Sequence, residues 1–106
     1  MVALHCPATL LVAPAPVGAK GVAALAESLA EERVLGVVGA PGDEAARRVA
    51  EILDVPLEDE PGLAAAQHPD PAVLGEIADL HRGETVVVLT PPAEVGAAPF
   101  TRLELD

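Results

Sequence analysis

The sequence predicts an α/β protein: a three-layer α/β/α domain on a small, mostly parallel sheet of about four parallel strands plus a C-terminal edge strand. Three observations lead there. The runs Thr9-Leu10-Leu11-Val12-Ala13 and Thr85-Val86-Val87-Val88-Leu89-Thr90 have the continuous β-branched and leucine-rich character of strands buried on both faces. Segments with apolar residues at helical spacing alternate with such runs. Clusters of Gly, Pro and Asp punctuate the boundaries between them. At 106 residues the chain is expected to be one domain, residues 1–106, with one modest core that buries roughly two-thirds of the unfolded surface.

Residues 1–7 read as a lead-in and residues 8–13 as the first strand. Gly18 to Glu32 predicts a helix, because Val22, Leu25, Ala26 and Leu29 recur at i, i+3, i+4 and i+7 while Glu27, Glu31 and Glu32 fall on the other side. Val34 to Val38 predicts the second strand, closed by Gly39-Ala40-Pro41-Gly42. Asp43 then caps a helix running to Leu53, in which Ala46, Val49, Ala50 and Leu53 repeat the apolar spacing. Val55 to Leu57 reads as a short extended piece that ends in an acidic turn, Glu58-Asp59-Glu60-Pro61-Gly62.

Asp70-Pro71 is a helix start, a capping side chain followed by proline in the first turn. That helix is expected to bury Val73, Ile77 and Leu80 and to stop at His81-Arg82-Gly83, where a cation and a glycine suit a helix C-terminus. Thr85 to Thr90 carries the strongest strand signal. Pro91 to Pro99 reads as a loop, and Thr101 to Leu105 alternates like a half-buried edge strand. No internal repeat or linker interrupts the series.

The net charge is −11, from 17 acidic residues against 6 lysines and arginines. A balance of that sign argues against nucleic acid and anionic membrane surfaces, both of which need clustered cations, and it disfavours a polyphosphate substrate. Phe100 is the only aromatic residue, so there is no aromatic platform for stacking bases or sugars. The single cysteine, Cys6, cannot form an internal disulfide. No apolar run reaches the ~18 residues of a membrane span, and the start lacks the basic and apolar regions of a signal peptide; the default location is cytoplasmic.

In parallel sheets, ligands and reactive groups sit just past the carboxyl ends of the strands. Here those positions hold Ala13-Pro14-Ala15 and, after Thr90, Pro91-Pro92. None of these side chains except the Thr90 hydroxyl can ionise, attack or donate, and no base accompanies it. No metal or cofactor site is expected: His5-Cys6 has no completing pair at ligand spacing, and Glu58-Asp59-Glu60 lacks the spacing of a calcium loop. His68 before Pro69 reads as a surface histidine and His81 as a helix-terminal one. Arg47 and Arg48 are candidate anion-binding residues, although Glu44 and Glu51 stand at the spacing of helix-surface ion pairs.

Four segments in order, Thr9 to Val12, Leu25 to Val38 with Pro41, Val49 to Leu57 with Leu63, and Leu80 to Val88, carry a resemblance to the histidine phosphatase superfamily, the phosphoglycerate mutase-like proteins. The closing Thr101-Arg102-Leu103-Glu104-Leu105-Asp106 is similar to that family's last strand. The resemblance implies a three-layer α/β fold and a phosphorylated histidine at the end of the first strand, within Arg-His-Gly. The matching positions are Ala13, Pro14 and Ala15. The second signature, Ser-His-Gly, falls on Thr90, Pro91 and Pro92, the phosphate-binding arginine on Glu44 or Ala45, and the proton-donor carboxylate near Ala65. The opening also resembles mannose-type phosphotransfer domains, whose histidine falls near Pro14.

Phosphoryl transfer through histidine needs a neutral imidazole and several cations or donors around the phosphate oxygens. Both resemblances therefore imply a site with its chemistry removed. The expected function is a catalytically inactive domain that acts by protein–protein association, as a homodimer or an accessory subunit. The edge strand at residues 101–105 and the loop from Pro91 to Phe100 are its candidate surfaces. The alternative is a small-molecule or anion binder, or a weak hydrolase, using the crevice beside Ala13, Thr90, Arg47 and Arg48. It requires those arginines and a histidine to converge.

Overall fold

The computed structural model describes residues 7–16, 18–63, 71–90 and 100–105. Along the chain these form β1 (Ala8–Pro14), α1 (Gly18–Leu29), β2 (Gly36–Gly39), α2 (Glu44–Leu53), β3 (Leu57–Asp59), α3 (Pro71–Leu80), β4 (Thr85–Thr90) and β5 (Thr101–Leu105). Short 3-10 turns follow α1 at Ala30–Glu32 and β3 at Pro61–Leu63.

The strands make one sheet in the order β3-β2-β4-β1-β5. The first four are parallel and β5 runs antiparallel to β1. Alternation along the strands divides the core into two halves. Leu11, Ala13, Val37, Val87 and Leu89 face α1 and α2, meeting Val22, Leu25 and Leu29 from one helix and Ala46, Val49 and Ala50 from the other. Leu10, Val38, Val86 and Val88 face the opposite way, against Ile77 and Ala78 of α3 and Leu63. The described residues thus form a small α/β/α sandwich, with two helices over one face and one over the other.

Asp43 caps α2 as expected: its Oδ1 accepts from the amides of Ala45 at 2.9 Å and Ala46 at 3.2 Å. Close layering depends on Gly39. A Cβ there would stand 2.6 Å from the Ala46 Cβ, so only a glycine lets α2 settle directly over the end of β2.

Three elements differ from the sequence expectation. The second strand begins at Gly36 rather than Val34, because Arg33 takes a left-handed conformation (φ 54°) on leaving the α1 turn and two residues are used in turning back. The extended piece expected at Val55–Leu57 lies two residues later: the strand is Leu57–Asp59, so Glu58 and Asp59 belong to it and not to the acidic turn, and Leu57, Glu58 and Asp59 pair with Val37, Val38 and Gly39. All three side chains are exposed, so at this edge the charges stay in water while the backbone completes the ladder. In α3, Leu80 is 76 % exposed instead of buried. The inward stripe is Leu74, Ile77, Ala78 and His81, at i, i+3, i+4 and i+7, and Val73 lies half-buried beside it. The stripe begins one residue later than the hydrophobic pattern suggests, and its last place goes to a histidine. Asp70 and the loop from Pro91 to Pro99 lie outside the described residues.

Candidate functional site

The carboxyl ends of β1 and β4 lie side by side, with Ala13 opposite Leu89 and Pro14 opposite Thr90. The chain leaving β1 goes to β2 on one side, whereas the chain leaving β4 goes to β5 on the other. Such a reversal of connection is where an open α/β sheet forms its ligand crevice.

The residues at this place offer little chemistry. Ala13 and Ala15 are buried and Pro14 is half-buried. The Ala15 amide donates to the Thr90 carbonyl at 2.8 Å, which carries the ladder past the strand ends. Thr90 is 5 % exposed, and its hydroxyl donates at 3.4 Å to the Ala13 carbonyl, a long bond directed into the backbone rather than outward. Pro91, Pro92, Ala65, His68, His5 and Cys6 lie outside the described residues.

Beside these strand ends is a depression of about 330 Å³ lined by Pro16, Val22, Asp43, Glu44, Ala45 and Arg48 among others. Its polar wall is the start of α2. The amides that would meet an anion at a helix N-terminus are those of Ala45 and Ala46, and both already bond the Asp43 carboxylate. Glu44, in the position implied for a phosphate-binding arginine, is instead a carboxylate paired with Arg47, Nε to Oε2 at 3.0 Å and Nη2 to Oε1 at 2.5 Å. The Arg47 hydrogen bond and charge hold the Glu44 carboxyl below its usual range. The pair is the helix-surface ion pair that the spacing suggests.

Arg47 and Arg48 do not meet. Arg47 lines a separate depression of about 470 Å³ with Glu51, Asp54, Pro56 and Leu57, on the β3 side of α2. Consecutive helical residues point about 100° apart, so a tandem pair cannot clamp one anion from a single helix. Among the described residues lining the first depression, Arg48 is one cation against the two carboxylates Asp43 and Glu44. That arrangement repels phosphate more than it holds it.

His81 stands apart from both depressions and has a role the sequence did not disclose. Its Nδ1 lies 2.8 Å from Oε1 of Glu84 and its Nε2 lies 2.9 Å from Oε2 of Glu58. Carboxylates only accept, so both ring nitrogens donate and the bridging ring is an imidazolium. Burial alone would lower its pKa, but the hydrogen bonds and charges of Glu58 and Glu84 outweigh that and raise it. The Glu84 contact is legible as an i, i+3 pair, whereas Glu58 comes from another strand 23 residues away. Among the described residues, no group of three His, Cys, Asp or Glu is arranged to hold a metal ion.

The bridge has a testable pH dependence. A histidine whose pKa is raised on folding stabilises the protein fully below its unfolded value near 6.5 and loses that contribution as pH rises through the folded value. Urea unfolding of wild type and His81→Gln from about pH 5.5 to about pH 9 is expected to show wild type losing its advantage across that window. Parallel curves would contradict the bridge.

No family model, curated protein or solved structure matches the chain. Among the described residues no helix is long and apolar enough to cross a membrane.

Proposed function

We propose that this chain is a non-catalytic relative of the histidine phosphatases that works by associating with protein rather than by turnover. The observation that carries the reading is the juxtaposition of the β1 and β4 ends, Pro14 beside Thr90, where the described residues are alanine, proline and a backbone-bonded threonine. Two histidines acting on one phosphoryl group must stand next to each other, so this register supports the resemblance in layout. Among the described residues these side chains supply neither nucleophile nor proton donor, and the nearby helix start carries Asp43 and Glu44 where cations would be needed.

What the scaffold still offers is surface. Among the described residues β3 and β5 are the sheet's edges, and backbone groups at an open edge favour strand addition. Phe100 is half-buried against the α1–α2 layer, which makes it part of the core margin instead of a free anchor. The competing anion-binding reading loses its requirement for convergence, since Arg47 is paired with Glu44 and faces a different depression from Arg48.

The test is light scattering on the purified chain, alone and after capture from an extract of its source organism, alongside hydrolysis of p-nitrophenyl phosphate. A defined complex, with itself or another protein, and no hydrolysis above buffer is the expected result. A monomer that retrieves nothing, or steady turnover, would overturn the reading.

A further inference from the structure

We propose that two copies of this chain pair through β5, antiparallel about a two-fold axis at Leu103, so that two five-stranded sheets join into one. The proposal rests on the association reading and names the partner as a second copy. β5 is bonded to β1 on one side, Leu103 opposite Leu10, and no described strand lies on its other side. It offers five residues, against three in β3 at the opposite edge, where the one register that overlaps the whole strand, centred on Glu58, sets Glu58 against the partner's Glu58.

The charge pattern of β5 selects both the partner and the register. Thr101, Arg102 and Glu104 are exposed, whereas Leu103 and Leu105 are half-buried on the α3 face. Arg102 and Glu104 therefore share the other face, where Arg102 also pairs with Glu32 from the turn after α1. Glu104 has no charged partner among the described residues. A two-fold axis perpendicular to the sheet keeps each face on its own side, so residues that come opposite each other must be of the same parity.

Three registers keep most of the strand overlapped. Centring on Arg102 sets Arg102 against Arg102, and centring on Glu104 sets Glu104 against Glu104. Centring on Leu103 sets Arg102 against the partner's Glu104 on both sides of the axis, with Leu103 against the partner's Leu103 and Thr101 against the partner's Leu105. Directly opposed like charges destabilise a strand pair and opposite charges stabilise it. The same two charges oppose a foreign apolar strand, because that strand would leave them desolvated without a counter-charge. An edge guarded against strands in general thus admits its own copy in one register.

Sedimentation equilibrium over a range of concentration tests this with wild type, Arg102→Glu, Glu104→Arg and an equimolar mixture of the two variants. Wild type is expected to reach twice the 10.7 kDa of one chain. Each variant opposes like charges at both positions, and association is expected to weaken by on the order of tenfold or more. The mixture restores both opposite-charge pairs and is expected to form the dimer again, a rescue that a misfolded variant could not produce. Variants that dimerise as wild type does, or a mixture that stays monomeric, would overturn the proposal. A monomeric wild type would overturn it too: bound stoichiometrically to a different protein it leaves the association reading standing, and bound to nothing it removes both.

Discussion

Leu10→Ala is expected to lower stability by about 3 kcal/mol. Leu10 is fully buried in the middle of β1, between Val86 of β4 and Leu103 of β5. Its side chain lies in the layer shared with Ile77, Ala78 and Val88. The sheet cannot close around the missing atoms, because β1 is hydrogen-bonded on both sides and α3 is the one described helix over that face. Lost transfer energy and a retained cavity therefore add. A domain of this size has about 5–15 kcal/mol in total, so the loss is a large share of it. Urea unfolding checks it through a drop in midpoint at unchanged slope. A loss under about 1 kcal/mol would mean that the α3 face is far more yielding than its packing implies.

Gly39→Ala acts by the opposite mechanism, overpacking, and is expected to cost about 1–3 kcal/mol. The new methyl would stand 2.6 Å from the Ala46 Cβ, and neither side can give way easily. Ala46 is fully buried, and its turn is fixed by the Asp43 cap. Gly39 is itself tied by its carbonyl, which accepts from the Glu60 amide at 2.7 Å. Relief requires α2 to lift away from β2, and with it Val49 and Ala50. The double variant Gly39→Ala/Ala46→Gly removes the clash at the cost of about 1 kcal/mol for a helical glycine. A thermodynamic cycle should therefore show the two changes compensating each other, and simple additivity would contradict this account of the contact.

Both predictions concern elements that were legible from residues alone. β4 has the bounds its β-branched run implies and β5 those of its apolar–polar alternation, and the Asp43 cap begins α2 where its side chain and the following apolar spacing place it. Those signals are local, because burial on both faces shows as an unbroken apolar run and a cap as one oxygen-bearing side chain. The extension of β3 through Glu58 and Asp59 was hidden because this edge strand is held by backbone pairing to β2, to which side-chain polarity contributes nothing. The inward face of α3 was misplaced by one residue because Leu80 carries the hydrophobic signal while His81 occupies the buried position. The contacts with Glu84 and Glu58 explain why a histidine is tolerated there, and the second joins residues 23 apart.

The candidate site divides the same way. That the ends of the first and late strands matter follows from the rule for parallel sheets, and the poverty of Ala13, Pro14, Ala15 and Thr90 was readable directly. The adjacency of β1 and β4 depends on strand order, which local residues do not encode. The separation of Arg47 from Arg48 was available in principle from helical geometry, but the depressions they line are made by β3 on one side and the β1–α1 junction on the other.

The central claim is that the strand ends do not hold a phosphoryl group. An amide chemical-shift titration of the full chain with inorganic phosphate, carried into the millimolar range, tests it most directly. The account predicts no saturable shift at Ala13, Ala15, Ala45 or Arg48. A saturable response centred on those four amides would contradict it and restore the crevice as a binding site.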